Sequence, residues 1–169
     1  RRKANIAFGM FQTKQGKNII NLIKQLKTKN VAAHYTVLAT NKSTKERLPY
    51  YPEIYEKILT NEKSILDLGC GLNPLSYPYL KINPTYHAYD LYTKPIKEYF
   101  KIQKIKGTTK DVDLTDPKSF KFPKTDICFL FKFLDSIDLK GHKTSELLIK
   151  AILSKKIIIS FPLKTLKNK

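Results

Sequence analysis

The sequence predicts an α/β fold built on an open, mostly parallel sheet. From residue 64 onward, five short strand-like segments, four of them largely apolar and the third weak, alternate with segments that have helical spacing. Two of the apolar runs, 127–131 and 157–161, have the length of buried strands. The first strand also leads into a glycine-rich turn, with a helix predicted directly after it. Strands and helices that alternate in this way favour a parallel sheet covered by helices.

Each element has its own signal in the chain. Apolar residues recur at helical spacing between Ile19 and Leu26, which predicts a helix over 14–29. The string Ser43-Thr44-Lys45-Glu46 matches a capping box and predicts that a helix begins there. Segment 31–40 is predicted as a short helix or a turn. Further helices are predicted over 52–60, 74–81, 95–103 and 145–153, and strands over 64–68, 86–90, 104–110, 126–131 and 156–161.

Charge is the strongest signal in the composition. The chain has 169 residues, with 32 Lys and Arg against 14 Asp and Glu, a formal net charge of +18. Such an excess favours a polyanionic partner, although a general lysine bias would also produce it. No amphipathic membrane helix and no apolar run long enough to cross a bilayer is visible, so nucleic acid is preferred to a membrane.

Cysteine usage indicates a reducing compartment. The two cysteines, Cys70 and Cys128, are far apart in the sequence, and neither lies in a metal-ligand spacing. The sequence therefore predicts no disulfide framework and no metal, and a cytoplasmic setting.

Arginine is rare in this lysine-rich chain. Arg47 is the only arginine beyond the first two residues. Arginine offers a planar fork that binds a carboxylate or a phosphate with two hydrogen bonds, which lysine cannot do. Arg47 is therefore a candidate for an anion-binding role.

The segment Asp67-Leu68-Gly69-Cys70-Gly71 carries the clearest chemistry. Gly69 and Gly71 would let the backbone approach a ligand closely at the end of the first strand. The third glycine of a dinucleotide fingerprint is absent, and the extra acid, Asp67, suits a cationic group. Asp90, at the tip of the second strand, is placed to accept the hydroxyls of a ribose. A ribose without a pyrophosphate fits S-adenosyl-L-methionine (SAM) better than a nicotinamide dinucleotide.

Four blocks of the chain resemble one family. The glycine segment is similar to the first motif of class I SAM-dependent methyltransferases. The longer string from Leu68 to Leu75 resembles the aminoglycoside-resistance 16S rRNA guanine-N7 methyltransferases. Further matches to that family are Ser43-Thr44-Lys45-Glu46-Arg47-Leu48, Phe129-Leu130-Phe131-Lys132 with Leu134, and Ile159-Ser160-Phe161-Pro162 with Lys164 and Leu166. The resemblance implies a Rossmann-like SAM methyltransferase fold.

The same resemblance implies roles for individual residues. Arg47 would hold the SAM carboxylate, and Asp67, Gly69 and Gly71 would surround its methionine end. Asp90 would hold the ribose. Asp113 and Leu114 would flank the adenine, with Asp111 and Val112 as the competing register. Lys132 would contact RNA or position the target base. No residue is predicted as a general base, because guanine N7 has a free lone pair.

The expected partner is small-subunit ribosomal RNA, bound at the decoding region by a monomer. Residues 1–42 are predicted to be a basic helical extension that docks on RNA, and 43–169 the SAM-binding domain. The lysines expected to contact phosphates are Lys14, Lys17, Lys24, Lys27 and Lys132. The family carries a longer N-terminal extension and more strands after the fifth, so the chain is expected to be a fragment, a reduced relative or a protein completed by a partner.

Three other functions are compatible with parts of the sequence. A non-catalytic rRNA-binding or ribosome-assembly protein could use a methyltransferase scaffold, but the intact acidic and glycine positions argue against it. The charge and the family-specific blocks argue against a methyltransferase that acts on a small molecule or a protein. The missing third glycine argues against a nicotinamide-dependent dehydrogenase.

Overall fold

A five-stranded sheet forms the centre of the protein, in the order β3-β2-β1-β4-β5 with all neighbouring strands parallel. The computed structural model describes residues 14–26, 31–137 and 142–161. The order reverses between β1 and β4, where the chain crosses from one half of the sheet to the other. In open parallel sheets, ligands bind at the carboxyl ends of the strands beside such a switch point.

The strands are β1 Ser64–Leu68, β2 Thr85–Asp90, β3 Gly107–Asp111, β4 Thr125–Phe131 and β5 Ser154–Ser160. The α-helices are α1 Lys14–Gln25, α2 Val31–Leu38, α3 Lys42–Arg47, α4 Tyr51–Ile58, α5 Lys94–Gln103, α6 Leu134–Ile137 and α7 Lys143–Ala151. Short 3-10 helices cover Leu48–Tyr50, Asn73–Tyr79 and Pro117–Ser119. The prediction of a five-stranded, mostly parallel sheet is confirmed.

The two faces of the sheet carry separate apolar cores. Side chains alternate between the faces along each strand, so Ile65 joins one cluster and Leu66 the other. The first cluster packs against α1, α2, α4 and α5, and the second against α6 and α7. Tyr51 and Tyr55 of α4 are both buried in the first cluster, and their rings stack 5.4 Å apart.

The N-terminal helices pack against the sheet domain. Ile23 and Leu26 are buried in the same cluster as the residues of β1 and β2. Gln103, at the end of α5, donates a hydrogen bond from Nε2 to the carbonyl of Leu26 at 2.6 Å. The division of the chain into 1–42 and 43–169 remains a prediction. No helix among the described residues is both long enough and apolar enough to span a bilayer.

The predicted start of α3 was wrong. Asn41 caps the helix, because its side chain accepts a hydrogen bond from the Ser43 amide at 2.9 Å. Ser43 therefore lies inside the helix, which frees its hydroxyl to bind Arg47. The Glu46 carboxylate pairs with Lys132 instead of closing a capping box.

Other boundaries differ from the predicted ones for local reasons. The predicted third strand began at residue 104, but Lys104 adopts a left-handed conformation (φ 53°) that ends α5, and β3 begins at Gly107. Helix α4 begins at Tyr51, after a 3-10 turn that contains Pro49. The short helix α6 was not predicted. Residues 27–29 of the first predicted helix lie outside the described residues.

Candidate functional site

A cavity of about 260 Å³ opens at the carboxyl ends of β1, β2 and β4. This volume lies just below the range of about 300–1,000 Å³ that is usual for small-molecule sites. The cavity wall contains all the residues that the sequence predicted for SAM, together with Lys132: Arg47, Asp67, Gly69, Gly71, Asp90, Asp113, Leu114 and Lys132. Arg47 and Asp90, which are 43 positions apart in sequence, therefore border the same space.

The turn after β1 forms the floor of the cavity. Gly69 and Gly71 both have positive φ angles, 65° and 49°, which side-chain-bearing residues rarely adopt. A Cβ atom on Gly69 would come within 2.0 Å of the Phe133 ring, so the ring packs directly on the glycine backbone. A Cβ atom on Gly71 would meet no protein atom within 4 Å. The backbone at Gly71 thus borders open space, as a close ligand contact requires.

Arg47 reaches the cavity from the end of α3 and is only 8% exposed. Its guanidinium donates hydrogen bonds to Ser43 Oγ at 2.9 Å, to Tyr51 Oη at 3.4 Å and to Asn73 Oδ1 at 3.4 Å. It also lies over the Phe131 ring, 5.2 Å from the centroid. Among the described residues, no carboxylate lies within ion-pair distance of it.

Such a cation is unusual in a protein interior. Burial removes water from the guanidinium, and a buried charge is normally paired with an opposite charge. Within the part of the chain that the structure describes, the guanidinium of Arg47 has only neutral hydrogen-bond partners, and it borders a cavity. This arrangement suits a ligand that brings its own carboxylate.

Asp67 is a second buried charge on the same cavity, with 1% exposure. Its Oδ2 atom accepts hydrogen bonds from Tyr86 Oη at 2.7 Å and from Asn73 Nδ2 at 2.9 Å. Burial raises the pKa of this carboxyl to about 6, although these hydrogen bonds and the nearby Arg47 act in the opposite direction. Oδ1 accepts no hydrogen bond from the described residues, so it can receive a donor from a ligand.

Asp90 is the last residue of β2, and its carboxylate is held by the backbone. Gly71 N donates to one carboxylate oxygen at 2.8 Å, and Leu91 N donates to the other at 2.7 Å. Burial raises the pKa of Asp90, although these amide donors lower it. A carboxylate can accept about four hydrogen bonds, so beside the amides of Gly71, Leu91 and Tyr92 it can accept one more from a hydroxyl group.

The two acids at the end of β3, Asp111 within the strand and Asp113 after it, take different positions. The carboxylate of Asp111 accepts hydrogen bonds from the amide and the hydroxyl of Thr93, both at 2.7 Å, and it fixes the start of α5. Asp113 and Leu114 line the cavity, and so does Val112. Both residues of the preferred pair, Asp113 and Leu114, thus line the cavity, whereas only Val112 of the competing pair does. Contact of either pair with an adenine remains a prediction.

Lys132 follows β4 in a left-handed conformation, with φ 54°. Its amide donates to the Ser160 carbonyl at 2.9 Å, which ties the turn to β5. Its ammonium forms an ion pair with Glu46 of α3, and this hydrogen bond lowers the pKa of Glu46. Lys132 therefore connects α3 with the end of β4 beside the cavity.

Sequence reasoning missed several residues of this site. Asn73 bonds to both Arg47 and Asp67, and Tyr51 and Tyr86 anchor the same network. Tyr51 lies four positions after Arg47, at helical spacing, which is a signal that could have suggested the contact. The contact between Phe133 and Gly69 joins residues 64 positions apart, and no local pattern indicates it.

The predicted RNA-contacting lysines of the N-terminal region are only partly described. Lys14, Lys17 and Lys24 belong to α1, and the side chain of Lys24 is exposed. Lys27 lies outside the described residues. Within the described ranges, no group of three His, Cys, Asp or Glu side chains is arranged to bind a metal ion.

Comparison with known families identifies the chain's relatives. The model of the ribosomal RNA methyltransferase (FmrO) family matches residues 27–169. The chain belongs to this family. Curated relatives of this FmrO-family chain include 16S rRNA (guanine(1405)-N(7))-methyltransferases. The protein from Micromonospora echinospora is 27% identical over 141 residues, and the one from Proteus mirabilis is 26% identical over 145 residues.

The alignments cover about four fifths of this chain, 80% and 79%, but only 52% and 50% of these relatives. The FmrO-family chain thus spans about half the length of the curated relatives it matches.

Solved structures share the fold. An rRNA methylase from Escherichia coli superposes with a TM-score of 0.75 at 18% identity, covering 97% of this chain and 75% of that one. The 16S rRNA methyltransferase RmtF, solved in complex with S-adenosyl-L-homocysteine, gives a TM-score of 0.76 at 19% identity, covering 90% of this chain and 60% of that one. The predicted Rossmann-like methyltransferase fold is confirmed, and the match to the FmrO family confirms the predicted resemblance to 16S rRNA methyltransferases.

Proposed function

We propose that this chain is the cofactor-binding core of a methyltransferase that uses SAM to methylate small-subunit ribosomal RNA, at guanine N7 in the decoding region. The observation that carries the proposal is the buried guanidinium of Arg47, which has no carboxylate partner among the described residues and borders the same cavity as Asp67 and Asp90. The family's description and the names of the curated relatives support the rRNA target.

The amino-acid end of SAM fits the two buried charges. Arg47 would bind the carboxylate, since its planar fork matches that group. Asp67 would accept a hydrogen bond from the ammonium. Each charge on the ligand would compensate a charge that the protein already buries, so binding would relieve an existing desolvation penalty.

The nucleoside end of SAM fits the edge formed by β2 and β3. The Asp90 carboxylate, fixed by backbone amides, would hold the ribose through its hydroxyls. Leu114 is buried at 3% exposure and offers an apolar surface for the adenine, with Asp113 and Val112 beside it. Gly71 would allow the ligand to approach the backbone.

When bound, SAM supplies a methyl group that is already activated by its sulfonium. Guanine N7 carries a free lone pair, so attack needs no general base. The chain's own residues would then bind, orient and desolvate the reactants, which brings nucleophile and methyl group into line. N7 faces the deep major groove of an RNA helix, so the target base must be presented by a distorted site or flipped out.

Lys132 would contact the RNA at the cavity, where its ammonium now pairs with Glu46. Residues 1–42 would form a docking extension whose lysines grip phosphates without reading sequence. A ribosomal target implies action in the cytoplasm, and we expect a monomer.

Isothermal titration calorimetry with S-adenosyl-L-homocysteine (SAH) and a methyl-transfer assay test the proposal together. The assay incubates the chain and labelled SAM with purified small ribosomal subunits and maps the modified nucleotide. Asp90→Asn is the matched variant, because it keeps the size of the side chain but weakens its acceptor capacity. We expect SAH binding by the wild type, weaker binding by Asp90→Asn, and label at a guanine N7. A well-folded chain that binds RNA but not SAH would instead indicate a non-catalytic rRNA-binding protein.

A further inference from the structure

The side-chain amide of Asn73 lies between the two buried charges of the site. Its Oδ1 atom accepts a hydrogen bond from the Arg47 guanidinium at 3.4 Å, and its Nδ2 atom donates to Asp67 Oδ2 at 2.9 Å. Asn73 is itself buried, with 1% exposure. One amide thus contacts both the cation and the anion, and it does so with the atom of opposite polarity in each case.

Two tyrosines fix the orientation of this amide. Tyr51 Oη donates to Asn73 Oδ1 at 2.9 Å and accepts from Arg47 Nε, so its proton points toward the amide oxygen. Tyr86 Oη donates to Asp67 at 2.7 Å and lies 3.5 Å from Asn73 Nδ2. Because a flipped amide would set donor against donor at Arg47 and acceptor against acceptor at Asp67, only one orientation satisfies the network.

Without this amide, we expect Arg47 and Asp67 to form a direct ion pair. Arg47 and Asp67 have opposite charges in a region of low water content, where attraction between charges is strong. A direct ion pair would satisfy both groups and would leave neither available to a ligand. With Asn73 present, the two side chains are not within ion-pair distance of each other.

We propose that Asn73 is a positioning residue that keeps Arg47 and Asp67 apart, so that together they select a ligand carrying an α-amino acid group. A zwitterion presents a carboxylate and an ammonium on one carbon, and the separated pair offers a complementary partner to each. The inference rests on the proposed function and extends it, since it assigns the specificity for the amino-acid end to a residue that carries no charge.

The test compares two nucleosides by calorimetry. SAH carries the α-amino acid group, and 5′-methylthioadenosine has the same adenosine and sulfur without it. Asn73→Ala removes the spacer, and Asn73→Asp keeps its size but places a carboxylate against Arg47. We expect both variants to lose about tenfold or more in affinity for SAH and to change by less than about twofold for 5′-methylthioadenosine.

Ser76→Ala is the matched control. Ser76 is buried next to Asn73 and donates to its backbone carbonyl at 2.6 Å, without touching the amide. It should affect the two nucleosides equally. Tyr51→Phe provides a milder variant, since it leaves Asn73 in place and removes the hydrogen bond to Oδ1 together with the acceptor of Arg47 Nε. It should lower the affinity for SAH selectively even if Asn73→Ala does not fold.

The outcomes separate the inference from the function that it rests on. Equal losses for both nucleosides, or unchanged binding of SAH, would overturn the role of Asn73 and leave the proposed function in place. A wild-type chain that binds neither nucleoside would overturn the proposed function, and the inference with it.

Discussion

At the scale of single residues, the site combines opposite charges that the fold holds apart. Arg47 and Asp67 are both buried and both bonded to the same neutral side chain, Asn73. Such an arrangement is unfavourable for folding compared with an ion pair, because each charge is desolvated without full compensation. We interpret it as preorganisation for a zwitterionic ligand.

Replacing Arg47 with lysine should weaken SAH binding by about 10- to 100-fold. Lysine keeps the charge but loses the planar fork that can bind both oxygens of a carboxylate. Calorimetry with SAH measures the effect, and 5′-methylthioadenosine serves as the ligand without a carboxylate. An affinity for SAH that stays at the wild-type level would show that Arg47 does not bind the carboxylate.

Binding of SAH should weaken as the pH falls through about 6. Burial raises the pKa of Asp67 from 3.8 to about 6, so its carboxyl becomes neutral below that pH and loses its attraction for an ammonium. The ligand stays zwitterionic in this range. Calorimetry from about pH 5 to about pH 7.5 should show that the affinity of the wild type for SAH falls toward the lower pH, while the affinity of Asp67→Asn stays constant.

The same shift has an effect of opposite sign on the ligand-free chain. A carboxyl whose pKa is higher in the folded state stabilises the protein while both states are protonated, below about 3.8. This contribution is lost as the pH rises through about 6, because the folded state must then bury the charge. Chemical unfolding of wild type and Asp67→Asn should therefore diverge between these two values, with the variant less sensitive to rising pH. Parallel curves would contradict the shift.

The sequence allowed the principal residues of the site to be predicted, because they follow strand ends. Asp67, Gly71 and Asp90 come directly at or after the carboxyl ends of β1 and β2, and parallel strands bring those ends to one edge. Asn73 and Tyr86 could not be recognised in the same way. Their roles depend on which buried atoms meet across the fold, and residue type and spacing carry little information about that.

At the scale of elements, the turn between β1 and the following 3-10 helix depends on two glycines with positive φ angles. Gly69 and Gly71 share a left-handed conformation but differ in their surroundings. Gly69 supports the Phe133 ring, which follows β4, whereas Gly71 borders open space. A side chain at position 69 would therefore collide with Phe133, whereas a side chain at position 71 would meet only the cost of the backbone conformation.

Gly69→Ala should destabilise the protein more than Gly71→Ala. Both add the penalty of a left-handed alanine, about 1 kcal/mol. Gly69→Ala also brings a methyl group into the Phe133 ring, which raises the total to about 2–4 kcal/mol. Urea unfolding measures both changes. In a Phe133→Ala background the excess for Gly69→Ala should disappear, and equal effects of the two glycine variants would contradict the packing described here.

Strands were easier to predict than helix ends. The apolar runs of β1 and β4 are buried on both faces, so their composition alone marks them. Both Asn41 and Ser43 are residue types that can cap the start of α3. Asn41 is the cap, because the Ser43 hydroxyl accepts a hydrogen bond from the Arg47 guanidinium instead. The four-residue helix α6 is too short to leave a periodic pattern.

At the scale of the whole molecule, the positive charge is not balanced evenly. Four lysines on α4, α7 and β5 pair with nearby carboxylates: Lys57, Lys150, Lys155 and Lys156. In α1, by contrast, the first turn contains no acid, and Lys24 is exposed in the last turn. The exposed Lys24 is therefore better placed than the paired lysines to meet a polyanion.

Binding to small-subunit RNA should weaken steeply with salt, because contacts to phosphates release counterions. Replacing Lys14, Lys17, Lys24 and Lys27 with glutamine should reduce the slope of log K against log salt by up to about 3, since each lost contact removes about 0.7–0.9. Replacing Lys57, Lys150, Lys155 and Lys156 instead removes the same net charge from lysines already paired with acids. Filter binding across a salt series compares the two variants. If both sets reduce the slope equally, net charge alone drives association and residues 1–42 have no special docking role; a larger reduction from the first set supports docking through the N-terminal extension.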